Sequence, residues 1–327
     1  MIKDSVTWII TVNYRTAELV VKSLHALASQ VAELNGGKVL VVDNASGDDS
    51  FNQITLKISS ENWVKWAEVI PSERNGGFAF GNNIGFKLAL SSSVDSDYLM
   101  LLNPDACVEP KAIEKLVEFM DAHPLVGIAG SQIKNLAGGI ESSAHTFHSP
   151  ISELLEGAQL GILSRYLSAY EVTPAFQNIA HQCDWVSGCS MIIRRKVIDD
   201  IGMMDEEFFL YFEEVDFFHR AAKAGWQTWY VPDSIVTHIE GAATGIKSKQ
   251  RRPKYWFNSR RRYFVKHYGV KGLIAADILL SLGRLTFLIR RLFKIGAKNA
   301  KTNPNLFMFD LLSSDFKAMF SKKIWRI

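Results

Sequence analysis

The run Tyr98-Leu99-Met100-Leu101-Leu102, wholly apolar and stopping on Asn103-Pro104-Asp105, constrains this chain more than any other stretch. With no polar face of its own, it reads as a strand covered on both sides, as in a parallel sheet. Pro104 has no N–H for a ladder and pushes Asn103 towards extended geometry, so the strand ends there. Asp105 is thereby delivered at the carboxyl end of a central strand, the edge at which open α/β sheets bind ligands.

A βαβ unit precedes this strand. Val6–Val12 and Lys38–Val42 read as buried strands, and Leu19, Leu24, Leu27 and Val31 recur at near-helical spacing between them. A helix is therefore expected from Thr16 to about Leu34, stopped by Asn35-Gly36-Gly37. The second strand runs into Asp43-Asn44-Ala45-Ser46-Gly47-Asp48-Asp49. That cluster is either a solvated turn or a loop in which Asp43 accepts a hydrogen bond from a nucleoside base.

The stretch from Arg74 to Gly85 is glycine-rich but holds neither GxGxxG nor GK[ST]. Gly77, Gly81 and Gly85 instead recur at helical spacing, a stripe that admits either a ligand or a closely packed backbone. A helix is expected over Lys111–Ala122 and a strand near Leu125–Gly130. A weakly patterned region then reaches about Gln182, where acceptor-facing loops are expected. Trp185–Arg195 reads as a turn running into a strand.

The segment from Asp205 to Arg220 carries the most chemistry, and its helix is expected to reach Gly225 with Glu213, Glu214 and Asp216 in the early turns. The helix dipole favours carboxylates there, and Asp216 with Arg220 is spaced as an i,i+4 ion pair. Three acids directly after Phe208-Phe209-Leu210-Tyr211-Phe212 also fit a different role. Desolvation by such neighbours raises a carboxyl pKa, which is how a general base is tuned. Trp229–Pro232 reads as another strand, and Ile235-Val236-Thr237 leads to His238 ahead of the loop Glu240–Gly245. His238 is either structural or a metal ligand beside Asp105.

Composition bounds the class. At 327 residues, 47% hydrophobic and 22% charged, the chain has the length for a large domain plus an appendage, or two domains. Its three cysteines, with no CxxC, exclude a disulfide framework and suit a reducing cytosol. Charge is divided sharply: from Ile246 onwards there are 20 Lys/Arg and 3 acids, leaving 17 and 31 before it. An acidic catalytic body and a basic tail facing an anionic partner are expected. No secretory signal is visible, and no uninterrupted apolar run reaches the ~18 residues of a spanning helix.

In the tail, Arg251–Tyr263 interleaves cations with aromatics. This is a solvated basic face, a set of diphosphate contacts that includes Arg262, a membrane-adsorbing surface, or a single-stranded nucleic-acid site. Further on, Ile274, Ile278, Leu282, Leu285, Ile289 and Leu292 form one helical stripe. Arg284, Arg290, Arg291, Lys294 and Lys298 lie largely opposite, with Leu280 and Phe287 intruding on the basic side. Such a helix either packs on the catalytic body or lies in a membrane interface.

Taken in order, these motifs resemble the GT-A glycosyltransferases of family 2, in particular bacterial rhamnosyltransferases of O-antigen and cell-wall polysaccharide assembly. The resemblance covers about residues 6–245. It rests on Val12-Asn13-Tyr14, Val41-Val42-Asp43-Asn44-Ala45-Ser46, Asn75-Gly76-Gly77-Phe78 with Gly81-Asn82-Asn83, Leu102-Asn103-Pro104-Asp105, Ser187-Gly188, Phe209–Asp216 with Arg220, and His238.

It implies a GT-A fold, a single Rossmann-like mixed sheet flanked by helices, with a helical basic C-terminal extension. The catalytic domain would be 1–245, divided into a nucleotide-binding half, 1–97, and a metal/acceptor half, 98–245; the extension would be 246–327. The activity implied is inverting, metal-dependent transfer of a sugar from a nucleotide-sugar donor to a polyprenyl-diphosphate-linked saccharide. Mg²⁺ or Mn²⁺ is the implied cofactor. The best-matching donor is dTDP-rhamnose, with UDP-sugars such as UDP-galactofuranose next.

On the same resemblance, Asp43 reads the base, while Asn13, Tyr14, Asn75, Gly76, Gly77 and Asn82 line the nucleotide pocket. Asp105 stands at the DxD position and His238 completes the metal site. Asn103, where many relatives carry an aspartate, touches the ribose. The base of the Glu-Asp pair falls on Glu214, one methylene longer, with Asp216 and Glu213 as substitutes. The location implied is cytoplasmic, peripheral on the inner face of an anionic membrane, with no nucleic-acid partner. A nucleic-acid-binding protein and a nucleotidyltransferase are the alternatives from other classes.

Overall fold

The computed structural model describes residues 5–239, 251–293 and 304–320. The loop Glu240–Gly245 and the cations Lys294 and Lys298 lie outside the described residues. In chain order the elements begin β1 (Thr7–Asn13), α1 (Ala17–Ala28), β2 (Val39–Asp43), α2 (Ser50–Ser60), β3 (Ala67–Pro71), α3 (Gly77–Leu90), β4 (Tyr98–Leu102), β5 (Ala106–Val108), α4 (Ala112–Ala122) and β6 (Val126–Lys134). Then come β7 (Ile140–Glu141), β8 (Ala144–His145), α5 (Pro150–Ala158), α6 (Gly161–Tyr166), β9 (His181–Cys183), β10 (Trp185–Val186) and β11 (Ser190–Arg194). The last are α7 (Arg195–Ile201), α8 (Glu213–Lys223), β12 (Gln227–His238), α9 (Lys254–Leu292) and α10 (Phe307–Met319).

The chain forms two compact units. One takes in Met1–His145, Ala175–Phe209 and Glu213–Gly245; the other takes in Thr146–Pro174, Leu210–Phe212 and Ile246–Ile327.

The first unit is built on a mixed sheet in the order β3-β2-β1-β4-β11-β6-β12-β5, with β7 beside β6 and β9 beside β12. β4 is buried along its whole length. It pairs parallel with β1 on one side and antiparallel with β11 on the other, so its apolar run reports a central position and not an all-parallel sheet. From β1 the chain winds outwards through β2 and β3, then returns to β4 on the opposite side. The topological switch therefore lies between β1 and β4, and a crevice opens at the carboxyl ends there.

Helices cover both faces. Ile9, Val41 and Met100 point to the side where Leu24, Ile54 and Leu116 of α1, α2 and α4 complete the core. Full burial of each such side chain stabilises by about 1.5–3 kcal/mol. On the other face α3 approaches β1 closely, since a Cβ on Gly81 would come within 2.7 Å of Val12 Cγ1 and one on Gly85 within 2.5 Å of Ile10 Cγ2. Those two glycines thus serve tight helix–sheet packing.

Two boundaries differ from the sequence expectation. α1 stops at Ala28 rather than near Leu34, and a 3₁₀ turn follows over Val31–Leu34. The cause is Gln30, whose buried amide donates to Glu109 O (3.0 Å) and accepts from Ile113 N (3.3 Å) at the start of α4. β12 is one long strand through Pro232, with a register shift between Val231 and Ile235.

The second unit holds a helix in the stretch that periodicity leaves unpatterned. α5 starts on a capping box, with Ser149 and Ser152 bonded reciprocally and Pro150 in the first turn. Within this unit α5 and α9 touch backbone to backbone. A Cβ on Gly157 would lie 2.6 Å from Leu280 O, and one on Gly283 2.5 Å from Leu154 O. Arg290 donates to the last carbonyls of α5, at Ala158 and Gln159.

The buried guanidinium of Arg260 meets Glu153 (2.8 Å), Asp277 (2.9 Å) and Asp315 (3.3 Å), and Arg261 also binds Asp315 (2.8 Å), joining α5, α9 and α10. Burial works against the Arg260 charge, but the three carboxylates outweigh it and raise its pKa. Burial in turn lifts the Asp277 carboxyl to about 6.

α9 packs through the side opposite its aliphatic stripe. Leu273, Leu280, Gly283 and Phe287 are buried, whereas Ile278, Leu282, Leu285 and Leu292 are exposed. The intruding Leu280 and Phe287 mark the true packing side, because the glycine at 283 lets α5 reach them. α9 bends at Gly269 (φ 69°, ψ 176°). It also carries an eighteen-residue window long and apolar enough to cross a membrane, a third of it buried, despite Asp277 and Arg284. Asp277 and Arg284 interrupt that stretch, so it is not an unbroken apolar run.

Candidate active site

Strand register assembles the nucleotide side of the crevice. Asn13 and Asp43 are cross-strand partners at the ends of β1 and β2. Asn13 Nδ2 donates to Asp43 Oδ1 at 2.7 Å, and the Ser46 hydroxyl donates to the same oxygen at 2.6 Å. Among the described residues Oδ2 receives only the Ser46 N–H, at 3.3 Å, and so keeps acceptor capacity. Asn13 Oδ1 meanwhile accepts from the N–H and hydroxyl of Thr16, fixing the start of α1. Half-buried Tyr14 lies beneath the Arg15 guanidinium, 5.1 Å from ring centroid to Cζ.

The next loop is held by a second amide network. Asn44 Nδ2 donates to Asn75 Oδ1 (3.1 Å) and Gly77 O (3.0 Å), while Gly77 N donates to Asn75 Oδ1 (3.1 Å). Gly77 has φ +88°, and a Cβ there would fall 1.8 Å from Phe209 O, an oxygen that instead accepts from Phe78 N at 3.0 Å. Only glycine fits both the conformation and the contact. Asn82 turns into its own helix, donating to Phe78 O (3.0 Å). Asn83, which the residue types did not single out, ties Met204 and Glu206 to α3.

Asp105 and His238 meet. The antiparallel pairing of β5 with β12 sets His238 opposite Ala106, and its Nε2 lies 3.2 Å from Asp105 Oδ1. That oxygen is buried and lacks a well-formed hydrogen bond. A buried carboxylate oxygen facing an imidazole nitrogen, with the strand ends fixing both, fits half of a divalent-cation site. Among the described residues no third His, Cys, Asp or Glu joins them, so the remaining ligands would be donor oxygens and water. Half-buried Asn103 is anchored by its N–H to Cys189 O (2.9 Å), which joins this turn to the loop Ser187–Cys189.

That loop leads to the acids. At Gly188 a Cβ would lie 3.9 Å from Glu214 Cβ and 3.7 Å from Phe78 Cζ. Gly188 thus places the loop bonded to Asn103 close to both Glu214 and Phe78, the residue that follows Gly77. Glu213 and Glu214 open α8, directly after Tyr211 and Phe212, both in left-handed backbone (φ 70° and 69°). Such conformations cost of order 1–3 kcal/mol each and gather at functional sites.

Glu213 is buried and Glu214 half-buried, and in each the Oε2 atom is buried with no hydrogen-bond partner among the described residues. Burial pushes the Glu213 carboxyl well above its usual range, with a further rise from Glu214; burial also raises Glu214. Asp216 is committed elsewhere. Its buried carboxylate takes Arg220 Nε at 3.0 Å, and the same guanidinium donates to Ile201 O (2.6 Å) and Met203 O (2.8 Å). The expected surface pair is therefore a buried clamp. Arg262, expected at the nucleotide, lies half-buried on α9 in the second unit.

The profile of Glycosyl transferase family 2 matches residues 8–202, more than half of the chain. The chain is a family 2 glycosyltransferase. Over 154 residues this glycosyltransferase is 29% identical to the N-acetylglucosaminyl-diphospho-decaprenol L-rhamnosyltransferase of Mycobacterium tuberculosis, covering 46% of this chain and 49% of that protein. It is 24% identical over 223 residues to the dTDP-rhamnosyl transferase RfbF of Shigella flexneri, covering 67% and 65%. It therefore spans about half to two thirds of the length of these relatives. The mannosyltransferase PcManGT of Pyrobaculum calidifontis, solved with GDP-Man and Mn²⁺, shares its fold at a TM-score of 0.56 and 14% identity, over 97% of this chain and 87% of that one. The family 2 glycosyltransferase thus has the mixed, helix-flanked sheet of GT-A-like enzymes.

Proposed function

We propose that this enzyme transfers L-rhamnose from dTDP-rhamnose, with inversion, to a saccharide carried on polyprenyl diphosphate. It would serve O-antigen or cell-surface polysaccharide synthesis, peripherally on the inner face of the cytoplasmic membrane. The observation that carries the reading is the close approach of Asp105 Oδ1 to His238 Nε2 at 3.2 Å, on the sheet edge that also leads to Glu214. The names of the Mycobacterium tuberculosis and Shigella flexneri relatives support the sugar, and the former supports the lipid carrier.

In this reading Asp43 accepts from the base through Oδ2, and Asn13, Tyr14, Asn75, Gly76 and Gly77 shape the nucleotide pocket. Asn103 faces the ribose, and Asp105 with His238 binds Mg²⁺ or Mn²⁺. When bound, such an ion supplies Lewis-acid stabilisation of the charge on the leaving diphosphate. Glu214 removes the proton from the acceptor hydroxyl as that oxygen bonds to C1 and the C1–O bond to the diphosphate breaks. The products are the α-to-β or β-to-α inverted glycoside, the nucleoside diphosphate and protonated Glu214. Glu213, more deeply buried beside it and with its carboxyl pushed well above the usual range, shapes the field that Glu214 works in. Asp216 holds Arg220 and the loop Ile201–Met203.

The test is a product assay with a lipid-linked acceptor and a panel of donors. Release of dTDP with a mass gain of one deoxyhexose on the acceptor is expected. Turnover with UDP-galactofuranose alone would reassign the donor, and release of pyrophosphate from a nucleoside triphosphate would overturn the transferase chemistry.

A further inference from the structure

The second unit carries a surface that the transfer chemistry does not use. On α9, Ile278, Leu282, Leu285 and Ile289 are all about half exposed, and on α10, Phe309 and Phe316 are more than 60% exposed. Single exposed apolar residues are ordinary, but a contiguous set on two helices marks an interaction site. Ile274 and Ile278 line one groove of about 520 Å³ with Met308, Phe309, Leu312 and Phe316, so the two helices share this face.

The charges around it are one-sided. From 246 onwards the only acids are Asp277, Asp310 and Asp315. Asp277 and Asp315 are held by Arg260 and Arg261, and Asp310 by Arg251. No carboxylate of this stretch is left to oppose an anionic partner, while Lys271, Arg291 and Lys317 on the same two helices are exposed. The face cannot belong to a single spanning helix. Its reverse side is locked to α5 through Gly157 and Gly283, through Arg290 on the α5 carbonyls, and through the buried Arg260 cluster. Exposing those charges to hydrocarbon would cost several kcal/mol per ion.

We propose that the distal half of α9 and α10 together lie in the plane of an anionic phospholipid bilayer, lipid chains filling the groove between them. Apolar side chains on one side with cations along the helices are the pattern of an interfacial anchor. The biological purpose rests on the reading of a lipid-linked acceptor; the physical basis does not.

The experiment is flotation of the full chain with vesicles of phosphatidylcholine alone, or with about 30% phosphatidylglycerol, without donor or acceptor. Enrichment on the anionic vesicles is expected, falling steeply at ~0.5 M NaCl, where screening is nearly complete. Leu285→Asp and Phe316→Asp should each lower partitioning at least ~10-fold. Arg291→Gln with Lys317→Gln should lower it about fivefold for each cation removed, the factor equivalent to ~1 kcal/mol.

Hydrogen exchange on the unmodified protein supplies a second readout: vesicles should protect 272–292 and 307–319. No anionic preference, undiminished binding of the aspartate variants, or protection confined to other segments would overturn the proposal. So would a dimer, seen by light scattering and split by Leu285→Asp, in protein that does not float. Turnover on a water-soluble acceptor saccharide separates the two readings. Protein that fails to float yet still transfers sugar refutes only the anchor, whereas protein that floats without transferring refutes only the proposed donor and acceptor.

Discussion

Glu214→Gln isolates the proposed proton transfer. The substitution keeps the size and shape of the side chain, so its packing is preserved. It removes no hydrogen bond from Oε2, because that atom makes none among the described residues. What disappears is a proton acceptor, and general-base catalysis is typically a ~10²–10⁴-fold effect, about 3–5 kcal/mol of barrier. In a coupled assay of nucleoside diphosphate release, kcat should fall by that factor while donor affinity, measured by calorimetry, is unchanged.

The pH profile gives a second reading of the same group. Burial raises the Glu214 pKa, and only the deprotonated form accepts a proton, so wild-type kcat/KM should fall as pH drops through a value above the usual carboxylate range. Residual activity in the variant should lack that limb. Stability should move the other way. Both glutamates have folded pKa values raised above their unfolded ones. They therefore favour the folded state at low pH and lose that contribution as pH rises through the folded values. Glu214→Gln removes one share of this loss, so its Tm at neutral pH should equal or exceed that of the wild type. A kcat within a few-fold of wild type, or an unchanged acid limb, would refute the assignment.

Two further outcomes test how the fold holds the site. Gly77→Ala sets a Cβ 1.8 Å from Phe209 O at φ +88°; conformational strain of ~1–2 kcal/mol and a lost backbone hydrogen bond of ~1 kcal/mol should lower stability by about 2–3 kcal/mol. Urea unfolding measures this, and donor affinity should fall as well because the Asn44–Asn75 network shifts. Arg220→Met takes the guanidinium away from the buried Asp216 carboxylate and frees the Ile201 and Met203 carbonyls. A loss of about 3–5 kcal/mol, seen as a Tm lower by about 5–10 °C, is expected.

The fold and the site differ in how far they can be read from residues alone. Tyr98–Leu102 is legible because a strand buried on both faces leaves no room for polar residues. The β1–α1–β2 unit is legible because two short apolar runs flank a stretch whose apolar residues recur at near-helical spacing. The end of α1 is not, since it depends on Gln30 reaching Glu109 and Ile113, which are remote in sequence. α5 has a readable start in Ser149-Pro150, but its short length hides its periodicity. The packing face of α9 is not legible, for a physical reason: its largest aliphatic stripe is exposed, while a glycine-centred face is buried against α5. Small residues at a helix crossing carry little hydrophobic signal, yet they allow the closest packing. The meeting of Asp105 with His238 follows from strand register, which no local pattern encodes; only the order of motifs points to it.

The central claim is that Asp105 and His238 grip a metal-bound donor diphosphate. Calorimetric titration of dTDP and dTDP-rhamnose into wild type and Asp105→Asn, each with Mn²⁺ and with EDTA, tests it most directly. The account predicts tight binding only for wild type with Mn²⁺, and weak, metal-independent binding in every other arm. Equal affinity for wild type in Mn²⁺ and EDTA, or full metal-dependent affinity in Asp105→Asn, would contradict it.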